Sequence, residues 1–352
     1  MHQLDNLEFV TRLDPKGMFR LTCDFPEQCR RALEISLAAD LNLGGKEFSG
    51  AMLTGLGGSA AGGDFTRALF DAQGKIPFTV NRDYHLPSWV NSSILVFCAS
   101  YSGNTEETIS AYHDAKNAGC TVIAITSGGK LAEMARQDGF PVIQIPGGQP
   151  PRTALGYMLV PTIVACEQLG LLPAQPWEQA IAVLDKAAAH WATAKFEENE
   201  TKQLAEFLFG NLSVIYGLGS WQSLVANRWK GQINENAKNM TFSAAFPELN
   251  HNEILGWVKS DEQGVSRWVG MLLEDGTESA KMNERFRVTE DLIKGVCEFR
   301  RVTVHGASLL EKMLVMALLG DFISLYLAAL NGVDPENIDS INILKTALSK
   351  VS

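Results

Sequence analysis

The chain has 352 residues, 46% hydrophobic and 20% charged, and 30 Lys plus Arg against 40 Asp plus Glu leave a formal net charge of −10. At roughly 150 residues per domain this length predicts two domains, each large enough for its own core. The acidic balance excludes nucleic acid and anionic membrane as main partners, because neither is drawn to a negative surface. A small phosphorylated ligand stays compatible through a locally positive pocket. The six cysteines form no C-x-x-C pair, and Cys98 and Cys166 sit in apolar runs. They read as buried small hydrophobes in a reducing compartment. The N-terminus M-H-Q-L-D-N has no basic start with an apolar stretch behind it, and no run approaches 18 apolar residues. Neither a signal peptide nor a membrane span is expected, and the location expected is cytoplasmic.

In chain order, a helix is predicted over 25–42, where apolar residues recur at helical spacing. A short apolar strand at 51–56 then leads through a glycine-rich turn into a helix that runs to Phe70. Strands follow at 77–81, 94–99, 121–126 and 141–145, with helices at about 104–118 and 130–137 between them. Short apolar strands alternating with helices predict an α/β fold with a parallel sheet covered on both faces. The G-G-Q-P-P break at 147–151 precedes helices at 152–169 and 176–194. The rhythm restarts with a strand at 212–218, a helix to about 237, strands near 266–273 and 301–305, and helices at 278–296, 307–330 and 338–350. The two halves read as two α/β units of similar design.

Two strand-to-helix turns carry chemistry. The first, G-L-G-G-S-A-A-G-G-D, spans Gly55 to Asp64. Gly57, Gly58 and Ser59 place free backbone N–H groups at a helix start, where anions bind. The loose match to a dinucleotide fingerprint is weak by itself, and a tight turn without ligand fits it too. The second, S-Y-S-G-N-T-E-E-T from Ser100 to Thr108, brings the hydroxyls of Ser100, Ser102 and Thr105 to one helix start. Helix capping accounts for one such hydroxyl and does not need Ser100 as well. Two adjacent loops of this kind make a phosphate-monoester cradle with few fixed charges.

These motifs, with T-V-I-A-I-T-S-G-G after them, resemble the sugar isomerase (SIS) domain. Added to P-R-T-A-L-G-Y (151–157), Q-I-N-E-N-A-K (232–238) and P-E-L-N-H-N-E-I-L-G-W (247–257), the pattern resembles the bifunctional phosphoglucose/phosphomannose isomerase family. The match runs from about residue 50 to the C-terminus. The resemblance implies two SIS-type parallel-sheet domains, each a three-layer sandwich. The boundaries expected are 1–150 with an N-terminal helix, connecting helices over 151–195, and 196–352 with a C-terminal helix. It implies an aldose–ketose isomerase that interconverts glucose 6-phosphate or mannose 6-phosphate with fructose 6-phosphate through a cis-enediolate, with no cofactor.

Such a reaction needs a phosphate anchor, acid/base help for ring opening, a base to move a proton between carbons 2 and 1, and a cation for the enediolate. The resemblance places the base at Glu235 and the ring-opening residue at His251, which it implies is lent to a partner subunit's site in a homodimer. Arg152 and Lys345 are the implied cations. On residue type alone Glu235 reads first as a solvated helix-face carboxylate pairing with Lys238, a reading the surrounding motif reverses, and Glu248 and Glu253 are rivals ranked second. The histidines are scattered with no H-x-x-x-H spacing, so no metal is expected. His305 and the tryptophans at 221, 229, 257 and 268 read as structural. Alternatives are an amino-sugar-phosphate isomerase, or a non-catalytic sugar-phosphate-binding protein. The first is narrowed because Met1-His2-Gln3 has no N-terminal cysteine, the second because no basic DNA-binding segment is visible.

Overall fold

The structure is a computed structural model that describes residues 2–41, 43, 45–263, 268–348 and 350. Two short helices, α1 (Leu7–Thr11) and α2 (Met18–Cys23), precede α3 (Phe25–Leu37). The next elements are β1 (Gly50–Thr54), α4 (Gly57–Gln73), β2 (Phe78–Asn81), β3 (Ile94–Ala99), α5 (Glu106–Asn117), β4 (Thr121–Thr126), α6 (Gly129–Gln137) and β5 (Val142–Gln144). Then come α7 (Leu155–Gln168), α8 (Trp177–Thr193) and α9 (Glu200–Leu208). The chain continues as β6 (Leu212–Gly217), α10 (Ser220–Ala237), β7 (Thr241–Ala245), α11 (Glu253–Gly256), β8 (Trp268–Glu274), α12 (Ala280–Ile293), β9 (Cys297–Thr303), α13 (Leu309–Asn331) and α14 (Asp339–Leu348).

Residues 24–185 with 306–314 form one compact unit. Its sheet has the order β2-β1-β3-β4-β5, every pair parallel. Strands β1, β3 and β4 are buried along their whole length, as expected for a sheet covered on both faces. The described residues of 1–23, 186–305 and 315–352 form the other unit. Its sheet has the order β7-β6-β8-β9, again all parallel. Its core joins Val214, Tyr216 and Leu272 to Phe246, Trp257 and Phe286. The two α/β units are thus present, although their membership follows space more than chain order: 1–23 groups with the second sheet and 151–185 with the first.

Several elements differ from expectation. Helix α3 stops at Leu37, short of 42, and the strand expected near 301–305 is β9 at Cys297–Thr303. Residues 266 and 267 of the strand expected near 266–273 lie outside the described residues, as does residue 349 of the last helix. Helix α9 and strand β7 were not expected: α9 is polar, and β7 is a half-exposed edge strand. Helix α13, whose apolar run is interrupted by Asp321, is long and apolar enough on average to cross a membrane. Its mean hydropathy reaches 2.1, and 94% of that window is buried inside the fold, which makes it a core helix. Trp229 fills part of that core, wholly buried, and donates from Nε1 to the Met316 carbonyl at 2.8 Å.

Candidate active site

The hydroxyl cradle lies at the carboxyl ends of β1 and β3, where open parallel sheets bind ligands. The Ser59 hydroxyl, in the first turn of α4, accepts the Tyr101 N–H at 3.2 Å and so keeps its own proton to donate. Buried Ser100 shares a hydroxyl–hydroxyl bond of 2.8 Å with Thr105 and accepts the Gly103 N–H at 3.1 Å. Exposed Ser102 accepts the Asn104 N–H at 3.2 Å, which leaves its proton free as well. No side chain caps α5, although Thr105 occupies its N-cap position. The capping reading of this loop therefore fails. Its hydroxyls bond to one another and to the loop backbone instead.

A third strand-to-helix turn locks the second. Gly103 has a left-handed φ of +70°, and a Cβ there would lie 1.7 Å from the Gly128 carbonyl. Only glycine fits this contact. Asn104 Oδ1 accepts the Lys130 N–H at 3.2 Å, and the Ser127 hydroxyl donates to the Tyr101 carbonyl at 2.7 Å. The S-G-G turn after β4 entered the sequence reading only through resemblance, and its contact with the second loop and the part played by the Tyr101 backbone were missed. Repetition of a small-residue turn at a third strand end was the available signal.

Arg152 is seated by the same first loop. A Cβ on Gly58 would come within 2.6 Å of the Pro151 carbonyl, so the backbone of 151–152 rests directly on the start of α4. Arg152 is buried, 6% exposed. The sequence readings at Gly57, Gly58, Ser59, Ser100, Ser102, Thr105 and Arg152 thus fall in one neighbourhood. Asp64, which closes the first motif, is instead a tie to Arg82 at the end of β2. Burial pushes its carboxyl up, and Arg82 pulls it back.

Glu235, His251 and Lys345 lie on three elements of the other unit. Glu235 is half-buried near the end of α10. Lys238 donates from Nζ to the Glu235 carbonyl at 2.7 Å and to the Asp334 carbonyl at 2.7 Å, which closes the helix end. His251 ends a short 3-10 turn, Glu248–His251, and is exposed. Lys345 is exposed on α14, a helix in which no residue is buried. Of the rival carboxylates, Glu253 accepts the Tyr216 hydroxyl, which in turn accepts Trp257 Nε1 at 3.0 Å. Burial and then this carboxylate push the Tyr216 phenol up. Glu248 is exposed and accepts Asn252 Nδ2 at 3.0 Å. His305 pairs its ring with the Asp275 carbonyl at 3.1 Å, a structural contact.

The sequence profile of the bacterial phospho-glucose isomerase C-terminal SIS domain matches residues 197–348. A bifunctional phosphoglucose/phosphomannose isomerase of Caldicellulosiruptor bescii is 42% identical over 95% of this chain and 99% of its own. One of Aquifex aeolicus is 33% identical over 86% of this chain and 91% of its own. Among solved structures, a hypothetical protein of Thermus thermophilus is similar in fold, with a TM-score of 0.75 at 16% identity over 98% of this chain and 94% of its own.

Proposed function

The chain belongs to the bifunctional phosphoglucose/phosphomannose isomerase family, and from that membership we propose that it interconverts glucose 6-phosphate and mannose 6-phosphate with fructose 6-phosphate. The carrying observation is the cradle of Ser59, Ser100, Ser102 and Thr105, with Arg152 seated on its first loop. In this reading the cradle holds the 6-phosphate. The Glu235 carboxylate takes the carbon 2 hydrogen as a proton. The electron pair left behind forms the carbon 1–carbon 2 double bond, and the carbonyl oxygen gains the negative charge that Arg152 stabilises. Glu235 returns the proton to carbon 1 while the carbon 2 oxygen becomes the new carbonyl and its hydroxyl proton passes to the oxygen on carbon 1. His251 opens the ring by protonating its oxygen and accepting the hydroxyl proton, and Lys345 is a second cation near that oxygen. No metal or cofactor takes part.

Glucose 6-phosphate and mannose 6-phosphate differ only at carbon 2, which is planar in the enediolate. Anchoring at carbon 6 leaves the reacting end free to turn, so one base serves both. A coupled assay on both 6-phosphates, with and without a chelator, tests this. Glu235→Gln is expected to lower both activities in parallel by at least ~10²–10⁴-fold, and the chelator to change neither. Retention of the mannose 6-phosphate activity by that variant would overturn the single site.

The same reading makes the functional form a homodimer with His251 lent across the interface. The exposure of His251 supports this. Mixing Glu235→Gln with His251→Ala protein is then expected to restore part of the activity after subunit exchange, and proven exchange without recovery rules the shared site out. The two sheets with their helices are proposed as the two SIS domains.

A further inference from the structure

Glu235 is the middle residue of Asn234-Glu235-Asn236, and the asparagines on either side of it are both tied down. Asn234 accepts the Thr241 N–H on Oδ1 at 2.9 Å and donates from Nδ2 to the Thr241 carbonyl at 3.2 Å. This pair of bonds fastens the end of α10 to the first residue of β7. Asn236, 1% exposed, donates from Nδ2 to Ser324 Oγ at 2.9 Å on α13, and Ser324 donates to the Asp321 carbonyl at 2.7 Å. The Asp321 carboxylate accepts Arg228 Nη2 at 2.9 and 2.7 Å and Gln232 Nε2 at 2.8 Å. Arg228, Gln232 and Asn236 recur every four residues, so they form one row along α10 facing α13.

This row is a poor source of stability. Removing a guanidinium, a carboxylate and two amides from water offsets most of what their mutual bonds return, and an apolar seam of the same volume holds two helices together as well. Directional bonds differ from apolar contacts in another way: they fix rotation and axial position, whereas apolar burial is non-directional. Glu235 follows Arg228 by seven residues, two helical turns, and so sits at the flank of the same row. Any slip of α10 displaces its carboxylate directly.

We propose that Asn234 and Asn236, backed by the Arg228–Asp321–Gln232 row, are positioning residues that hold α10 in the register in which Glu235 transfers the proton. The inference rests on the reading of Glu235 as the base. Asn236→Ala and Ser324→Ala each break the α13 tie, and Asn234→Ala breaks the β7 tie. Each is expected to lower kcat on both 6-phosphates about 10–100-fold, the scale of a misplacement of about 1 Å, while KM stays near its original value. Ser324→Thr, which keeps the hydroxyl, is expected to restore kcat. The pair Asn236→Ala with Ser324→Ala is expected to lose less than the two single losses combined, since the Asn236–Ser324 bond is removed by each.

The deciding measurement is made in the Glu235→Gln background. A residue that acts only by placing Glu235 has nothing left to place there, so adding Asn236→Ala is expected to leave the residual rate unchanged. A further fall, or a rise of KM in the single variants, points to a general loosening of the unit and overturns the proposal. Unchanged kcat in the asparagine variants beside an inactive Glu235→Gln protein overturns it too and leaves the base in place. A fully active Glu235→Gln protein instead sinks the reading underneath. Asn234, which is only partly buried, keeps the test open if Asn236→Ala does not fold.

Discussion

The two sheets share a strand plan and differ in what their loops carry. With β1 set against β6, the orders β2-β1-β3-β4 and β7-β6-β8-β9 coincide. After β3 stand the hydroxyls of Ser100, Ser102 and Thr105. At the matching end of β8 stand Glu274, Asp275 and Glu278. Glu274 Oε1 accepts Arg301 Nε at 3.0 Å and the Thr303 hydroxyl at 2.8 Å. Asp275 Oδ1 accepts the Thr277 N–H at 2.9 Å, and Glu278 Oε1 accepts the Asp275 N–H at 2.7 Å. In the first loop Ser102, and against that loop Ser59, accept backbone N–H groups and keep their own protons to donate. In the second, carboxylates consume the donors and repel a phosphate. Topology marks where a ligand can sit, and loop chemistry decides whether it does.

The largest expected effect tests that contrast directly. Ser102→Ala with Thr105→Ala is expected to weaken glucose 6-phosphate and mannose 6-phosphate binding alike, by about 10²- to 10⁴-fold. This follows from about 1.5–3 kcal/mol per hydrogen bond to a charged group. Thr277→Ala, the matched change in the second unit, is expected to leave affinity unaltered. Equilibrium binding to Glu235→Gln protein measures both. Equal losses from the two loops would mean that the phosphate is not held by the first.

A smaller effect contrasts two glycines. Gly58→Ala puts a methyl 2.6 Å from the Pro151 carbonyl and forces the backbone of Arg152 away. The expected loss of stability is about 1–3 kcal/mol, with kcat falling more than substrate affinity because the hydroxyls stay in place. Gly231, inside α10, has open space where its Cβ would go. Gly231→Ala is expected to raise stability by about 0.5–1 kcal/mol. Thermal melts of the two variants should move in opposite directions, and a shared direction would contradict the packing described at Gly58.

What was legible follows the same physics. Strands β3 and β4 were read in place because every residue is buried, so apolar runs marked them. The cradle was legible because small hydroxyl residues cluster at the end of such a run. Strand β7 was not, since an edge strand with one buried residue out of five leaves no apolar signature. The seat of Arg152 on Gly58 and the bond from Asn236 to Ser324 join residues far apart in the chain, and no local pattern encodes such contacts. His251 and Lys345 were named through motif resemblance alone, and the fold of one chain leaves both exposed.

At neutral pH the smallest effect comes from the buried thiols, which are unequally divided. The first unit holds Cys29, Cys98, Cys120 and Cys166, all buried, against Cys297 buried and Cys23 half-buried in the second. Burial pushes the Cys297 thiol up to about 12, and it pushes up the other four buried thiols as well. An unfolded thiol loses its proton near pH ~8.5 while the native one keeps it, so the native state binds more protons above that pH. The linked stability is therefore fully present below pH ~8.5 and is lost as pH rises, by up to about 1.4 kcal/mol per pH unit for each thiol. Between pH 7 and 8 almost nothing is expected to change, and a thiol reagent should find Cys23 alone until the chain is denatured. Toward pH 10 the first unit, with four such thiols, is expected to open before the second, with one. Hydrogen exchange followed unit by unit at pH 7 and pH 10 measures this. Replacing Cys98 by Ala should flatten the alkaline slope of the first unit by one thiol's share and leave the second unit's slope alone. If the second unit opened first, or if both opened together, burial of the thiols would not be what limits the fold at high pH.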